Sequence, residues 1–341
     1  MMKRVGSSTI SRGLTDPQHT IASDSISNTK VAFGWMTGGA AVSHPKADAA
    51  DLLLSSIWGS PRQPGSVMSM AAPPPTVLIT GASSGIGAEL ARSYAREGAR
   101  LVLLARRRVL LEQLAEELRG LGAAEVEVHE GDVTRDGDVA RPVQALLARG
   151  LGLDIVYANA GFGVAGVLQR LTLADYQRQL DTNVIGLLRT LYEALPGLRQ
   201  ARGRLVLIGS VAGHVAAPGS SAYSMSKFAV RGLAESLRGD LRGDGIGVTL
   251  VSPGFVDSDI RRTDNRGVVQ EGVPDPVPAW LRVSTDKAVR EIVRGVRRGR
   301  AEIVVTGHGK LLVFLSRYFH RLLRAALMRT YRGRPEPKVQ R

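Results

Sequence analysis

Seven short runs of β-branched and aliphatic residues, separated by stretches of helical length, constrain this chain more than any other feature. From Thr76 onward they read TVLIT (76–80), RLVLLA (100–105), EVEVHEGDV (125–133), LDIVYANAG (153–161), RLVLIGS (204–210), GVTLVSPG (247–254) and EIVVTG (302–307). Several are apolar throughout rather than at alternate positions, which suits parallel strands covered on both faces. Intervening stretches such as 86–97, 107–121 and 223–242 have helical length and composition. Strand–helix alternation with right-handed crossovers predicts an α/β fold: one Rossmann-like domain over 73–309, with a doubly wound parallel sheet of about seven strands.

The net charge of +14 would point to nucleic acid if it were spread over this domain. Residues 282–341 carry sixteen Lys/Arg against four Asp/Glu, whereas residues 68–281 carry twenty-three of each. The basicity belongs to the C-terminal part, so no nucleic-acid partner is expected. With no cysteine in the chain, disulfides and Cys-ligated zinc are excluded, and six scattered histidines lack metal-ligand spacing, so no metal is expected. No apolar run is long enough to span a bilayer, and a cytoplasmic protein is expected. Residues 1–70 are rich in Ser, Gly, Ala and Thr without a sustained period, and are read as a disordered extension. Asp16, Asp24, Asp48 and Asp51 weigh against a transit peptide, and no apolar run follows Lys3 and Arg4 as a secretory signal requires. Met68 and Met70 stand as alternative starts just before the first strand.

TVLITGASSGIG (76–87) sets a glycine-rich turn between the first strand and a helix. Gly81, Gly85 and Gly87 allow a tight turn and close backbone approach, and the helix then aims its first N–H groups at an anion such as a pyrophosphate. Plain strand–helix connections use similar turns. At the end of the second strand, LLARRR (103–108) offers Ala105 and Arg106 where a ribose-binding carboxylate would otherwise stand. A guanidinium there suits a 2′-phosphate, through paired charge-assisted hydrogen bonds. The same arginines could also form a solvated helix start.

Of the seven tyrosines, only Tyr223 has a lysine four residues on, in SAYSMSK (221–227). Tyr223 and Lys227 therefore share a helix face. A free phenol, with a pKa near ~10, trades protons slowly near neutrality. A neighbouring ammonium stabilises the phenolate, so Lys227 is expected to bring Tyr223 into range for general acid–base chemistry. Such a pair, taken alone, is also ordinary helix-surface chemistry.

Taken together, the TGxxxGxG turn, ANAG (158–161) after the fourth strand and the YxxxK pair closely resemble the short-chain dehydrogenase/reductase family. The likeness runs from about Thr76 to Gly254, and more loosely to Gly307. It implies a catalytic tetrad of Asn183 (in DTNVIG), Ser210, Tyr223 and Lys227. In that family the serine hydrogen-bonds the substrate oxygen, the tyrosine exchanges the proton, the lysine also holds the nicotinamide ribose, and the asparagine supports a water-linked proton path. The likeness also implies NADP(H), held by Gly81, Ser83, Ser84, Gly85, Ile86 and Gly87, by Arg106, Asp132 and Val133, by Asn159, Ala160 and Gly161, and by Pro253, Gly254, Val256 and Ser258. Ser258 stands where the family's PGxVxT segment has threonine, and its hydroxyl can make the same bond. Asp132 could instead cap a helix starting near Thr134. The implied reaction is hydride exchange with the carbon of a hydrophobic or lipid-like carbonyl/alcohol pair. A cofactor-binding regulatory protein would use the same scaffold, as would an epimerase or dehydratase working through transient oxidation.

Three further stretches carry expectations. The segment between Asp259 and Asp286, with Pro274, Pro276, Pro278 and Trp280, is read as a lid over the substrate. The helix-like stretch 166–200 suits pairing across a two-fold axis, so a homodimer or tetramer is expected. In 310–334, Leu311, Leu312, Leu315, Phe319, Leu322, Leu323 and Ala326 recur at helical spacing, with Arg317, Arg321, Arg324 and Arg329 mainly between them. A basic amphipathic helix of this kind fits a membrane surface or a packing contact on the enzyme.

Overall fold

The computed structural model describes residues 73–270 and 272–332; the extension expected over 1–70 lies outside the described residues. Seven parallel strands form one sheet in the order β3-β2-β1-β4-β5-β6-β7. They are β1 (Thr76–Thr80), β2 (Arg100–Ala105), β3 (Glu125–Glu130), β4 (Ile155–Ala158), β5 (Arg204–Ile208), β6 (Gly247–Pro253) and β7 (Glu302–Val305). Each coincides with one of the seven apolar runs. The connecting helices are α1 (Gly85–Ala95), α2 (Arg108–Gly120), α3 (Ala140–Ala148), α4 (Leu173–Leu180), α5 (Gly186–Ala201), α6 (Ser221–Asp240) and α7 (Thr285–Arg297), followed by α8 (Gly307–Tyr318) and α9 (His320–Arg332).

The two faces of the sheet explain why the strands read as continuous apolar text. Val77 and Ile79 of β1 pack on one side with Leu90 of α1, Leu111 and Leu118 of α2, and Ile292 of α7. Leu78, between them, points the other way into a core with Val143 of α3, Leu191 of α5 and Val230 of α6. All three β1 residues are fully buried. Truncating any one to alanine would cost on the order of 2–5 kcal/mol. The direction of strand addition reverses between β1 and β4, so the loops at their C-terminal ends diverge and open a cleft.

Three local features depart from the sequence expectations. The stretch 166–200 is not one helix: α4 begins only after Thr172, whose hydroxyl accepts from Asp175 N–H while the Asp175 carboxylate accepts from Thr172 N–H. This reciprocal capping box ends the preceding loop. Between α4 and α5 the backbone widens into a single π-turn over Asp181–Ile185, where Gly186 N–H reaches the Asp181 carbonyl. The expected C-terminal helix is also two helices, because Phe319 leaves helical geometry (φ −128°, ψ 37°). The first of them starts at Gly307, three residues before the boundary read from the sequence.

Candidate active site

The glycine turn is a backbone cradle. Gly81 has φ +67° and Gly85 φ +55°, conformations that favour glycine. A Cβ on Gly81 would also lie 2.8 Å from Ala160 Cα, and one on Gly87 would collide with the Gly81 carbonyl. The loop after β4 locks this turn from below. Thr80 Oγ1 accepts from Asn159 and Ala160 N–H (3.1 and 3.2 Å), and the Asn159 amide donates to the Thr80 and Gly81 carbonyls (2.9 and 3.2 Å).

At the outer end of the cleft, Arg106 and Arg107 are exposed and no carboxylate follows Ala105. Arg106 Nη2 donates to the Gly267 carbonyl of the segment after β6 at 3.2 Å. Arg107, which the sequence reading passed over, turns back to the glycine loop and donates to Ser83 and Ser84 hydroxyls (3.0 and 2.7 Å). The Arg107 guanidinium and two serine hydroxyls thus meet at the glycine loop, while Arg106 lines the same end of the cleft from the side of Gly267. Only the outward or inward turn of each side chain distinguishes Arg106 from Arg107, and adjacency in sequence does not reveal it. Asp132 does not cap a helix near Thr134. Its carboxylate accepts from the Thr134 N–H and hydroxyl (both 2.9 Å) in a local turn, and α3 begins at Ala140. Val133 is buried against Gly186 at the start of α5.

At the inner end, the sheet and α6 bring the reactive side chains together. Ser210, just past β5, accepts from Ala212 N–H (3.1 Å) at the head of a short turn. Gly213 of that turn lies so close to α6 that a Cβ would stand 2.6 Å from the Lys227 carbonyl. Lys227 is buried, its ammonium donating to the Ile208 carbonyl (2.8 Å) and lying 5.8 Å from the centre of the Tyr223 ring. Burial lowers the Lys227 pKa to about 8. The Tyr223 phenol is pushed above its ordinary range by burial, while its hydrogen bond with Ser210 and the positive charge of Arg261 pull it down. The sequence suggested Lys227 for that pull; here it comes from Ser210 and from Arg261, which sequence reasoning did not single out. The physical reason is that a buried ammonium without a counter-ion is itself driven toward neutrality.

Asn183 sits in the π-turn and is 1% exposed. Its carbonyl accepts from Phe162 N–H (3.1 Å), and its amide donates to the Phe162 carbonyl (3.0 Å) and Ser226 hydroxyl (3.1 Å). Buried Gln179 clamps the same loop, accepting from Val164 N–H and donating to the Phe162 carbonyl. These amides hold the wall that follows Gly161. Across the cleft, Ser258 faces the glycine turn, 3.3 Å from where a Gly85 Cβ would stand, and its hydroxyl donates to the Val256 carbonyl (3.4 Å).

One cleft of about 630 Å³ runs from Arg106 and Arg107 past the glycine turn and Gly254 to Ser210, Tyr223 and Lys227. Asn183, which the sequence grouped with those three, stands with Gln179 behind the Phe162 wall and does not line the cleft. Ile260, Val268 and Val269 of the segment after β6 also line it, with Val268 and Val269 following the Gly267 that Arg106 holds. That segment is tied down by Arg261, whose Nε donates to both Asp275 oxygens (2.8 and 3.0 Å), and by Arg282, which pairs with Asp257 at 2.6 Å. The Arg261 guanidinium holds the Asp275 carboxyl at about 2.

A family model described as short chain dehydrogenase matches residues 75–268, more than half of the chain. The chain belongs to the short-chain dehydrogenase family. An uncharacterised oxidoreductase of Myxococcus xanthus is 40% identical over 229 residues, covering 67% of this chain and 86% of that protein. An 11-beta-hydroxysteroid dehydrogenase A of Sesamum indicum is 38% identical over 65% of this dehydrogenase, which spans 66% of the plant protein's length. Among solved structures, a short-chain dehydrogenase of Sphingobium yanoikuyae in complex with NADPH superposes with a TM-score of 0.60 at 31% identity, covering 78% of this chain and 98% of that one. An alcohol dehydrogenase of the archaeon Thermococcus sibiricus, complexed with 5-hydroxy-NADP, has a TM-score of 0.59 at 28% identity and covers 68% of this chain and 95% of that one.

Beyond the residues that the family model matches, β7 is followed by α8 and α9. Val313 of α8 is buried, but Leu311, Phe314, Tyr318, Phe319, Leu322 and Met328 are exposed. Arg321, Arg324 and Arg329 of α9 are exposed beside them. Among the described residues no helix is long and apolar enough to cross a membrane.

Proposed function

We propose that this protein is an NADP(H)-dependent oxidoreductase acting on a carbonyl/alcohol pair of a lipophilic substrate. The observation that carries the reading is one cleft with a glycine-only phosphate cradle at its middle, Arg106 and Arg107 at one end, and Ser210, Tyr223 and Lys227 at the other. The cradle and the arginine pair fit NADP(H): a carboxylate beside Ala105 would repel a 2′-phosphate, and none follows it. Bound NADPH supplies the hydride. Ser210 donates a hydrogen bond to the substrate oxygen, and Tyr223 gives that oxygen its proton as negative charge develops. Lys227 holds the sugar next to the nicotinamide, and Asn183 keeps the Gly161–Phe162 wall in position. Ile260, beside the Gly163 loop near Tyr223, favours an apolar substrate body. NADPH absorbance followed against a panel of ketones is expected to fall fastest with bulky apolar ones and to be slower with NADH. No turnover with any ketone would favour the regulatory or transient-oxidation alternatives.

The exposed Ile185 just before α5 and Tyr192 on it, with Met225 and Phe228 on α6, support a homodimer formed across these helices. The apolar, basic face of α8 and α9 supports attachment to an anionic lipid surface, with aromatic and leucine side chains in the interface and arginines at the head groups. Each arginine near such a surface contributes about 1 kcal/mol. Full-length protein should therefore co-sediment with phosphatidylglycerol-containing vesicles, and far less with pure phosphatidylcholine. The double variant Phe319→Glu, Leu322→Glu should bind at least about tenfold more weakly; unchanged sedimentation would remove the membrane reading.

A further inference from the structure

We propose that His308, the second residue of α8, is a positioning residue for the nicotinamide end of the cofactor. The inference rests on the reading of the cleft as an NADP(H) site. His308 lies outside every motif named above, yet its ring touches the loop that floors the inner cleft. Its Nε2 accepts from Phe255 N–H at 3.0 Å, and the His308 and Phe255 rings stack with centres 5.2 Å apart. Nε2 also stands 2.6 Å from where a Cβ on Gly254 would be, and Thr306 Oγ1 is closer still to that point. The tail therefore fills the space behind Gly254, so this main chain cannot retreat from the cleft.

The backbone geometry points the same way. Thr306 has φ +79° and ψ 143°, a region that a β-branched residue occupies only under strain, and it is 4% exposed. That bend turns the chain out of β7 so that α8 starts with His308 facing back to β6. The Thr306 hydroxyl caps α8 by accepting from Gly309 N–H (3.1 Å), and its oxygen lies 3.1 Å from His308 Nε2. Because Nε2 accepts the Phe255 N–H, the ring is neutral there and carries its proton on Nδ1. Desolvation lowers the His308 pKa, in keeping with that state. Phe255 then passes the constraint onward: the Arg261 guanidinium lies 6.0 Å from its ring centre, and Arg261 is the residue that anchors Asp275 in the lid. One phenylalanine thus joins the root of the C-terminal helices, the floor of the cleft and the lid.

Equilibrium binding on the full-length chain tests this without recourse to turnover, using NADPH and adenosine 2′,5′-bisphosphate, a probe that lacks the nicotinamide. His308→Leu should weaken NADPH binding about tenfold, the size expected when one buried N–H loses its acceptor, and should leave the bisphosphate within about twofold. His308→Gln should recover most of the NADPH affinity, because its carboxamide oxygen can reach Phe255 N–H. Should the leucine variant not fold, His308→Asn, polar but too short to reach, gives the same comparison. Unchanged NADPH affinity in the variants, or equal losses for both ligands, would overturn the positioning role. Wild-type protein that binds neither ligand would overturn the cofactor reading and this inference with it, a result distinct from the other two.

Discussion

Tyr223→Phe should lower kcat for ketone reduction by about 10²–10⁴-fold while NADPH affinity stays within about threefold, the range expected when a positioned general acid is removed. Phenylalanine keeps the ring, and so keeps the packing around it at the start of α6. What is lost is the phenol hydroxyl, whose pKa burial raises while Ser210 and Arg261 pull it down. The prediction separates two roles that share this wall. Lys227, whose ammonium is fixed by the Ile208 carbonyl, is proposed to serve cofactor binding as well as the proton. In the proposed mechanism Tyr223 acts on the reacting oxygen alone. Single-turnover kinetics together with a separate binding titration distinguish them, and near-normal turnover in the phenylalanine variant would remove Tyr223 from the chemistry.

Arg106→Glu should cost roughly a hundredfold in NADPH affinity and change NADH affinity by less than about threefold. Charge-assisted hydrogen bonds contribute about 1.5–3 kcal/mol each, and every 1.4 kcal/mol is tenfold. The substituted carboxylate adds repulsion against the 2′-phosphate and offers an acceptor to a free ribose hydroxyl. Arg107→Glu should shift the same ratio in the same direction, because Arg107 is already steered toward the glycine turn by Ser83 and Ser84. Equal losses for both dinucleotides in the Arg106 variant would reduce these arginines to a solvated helix start. Measured Kd values for NADPH and NADH at fixed ionic strength decide it, since surface charge effects fall with salt.

Much of the cleft is legible in the primary structure because its parts are backbone events or short-range pairs. Glycine is required at 81 and 87, where a side chain would strike Ala160 or the Gly81 carbonyl, and at 85 by a φ of +55°, so the turn announces itself. Tyr223 and Lys227 lie one helical turn apart, and periodicity alone puts them on one face. Thr172 and Asp175 carry a capping signature that marks where α4 begins, though the longer apolar rhythm of 166–200 hides it. Other features have no local signal. The π-turn that presents Asn183, the inward turn of Arg107 and the reach of Arg261 to Tyr223 arise from packing between elements far apart in the chain. The break at Phe319 is similar: helical spacing runs through it, yet the aromatic cluster of Phe314, Tyr318 and Phe319 forms around a residue outside helical geometry.

From the order of residues alone came seven buried parallel strands, the glycine turn, the tyrosine–lysine pair and the neutrality of the body against a basic tail. Each is a matter of composition or short spacing, governed by steric limits and by the need to bury apolar strands on both faces. Tertiary structure alone decided which cations reach the phenol, which arginine faces the glycine loop, and that His308 stands behind Gly254. Those outcomes depend on distances between segments up to 161 residues apart, as between Arg106 and Gly267, and through-space contact of that kind leaves no periodic trace along a chain.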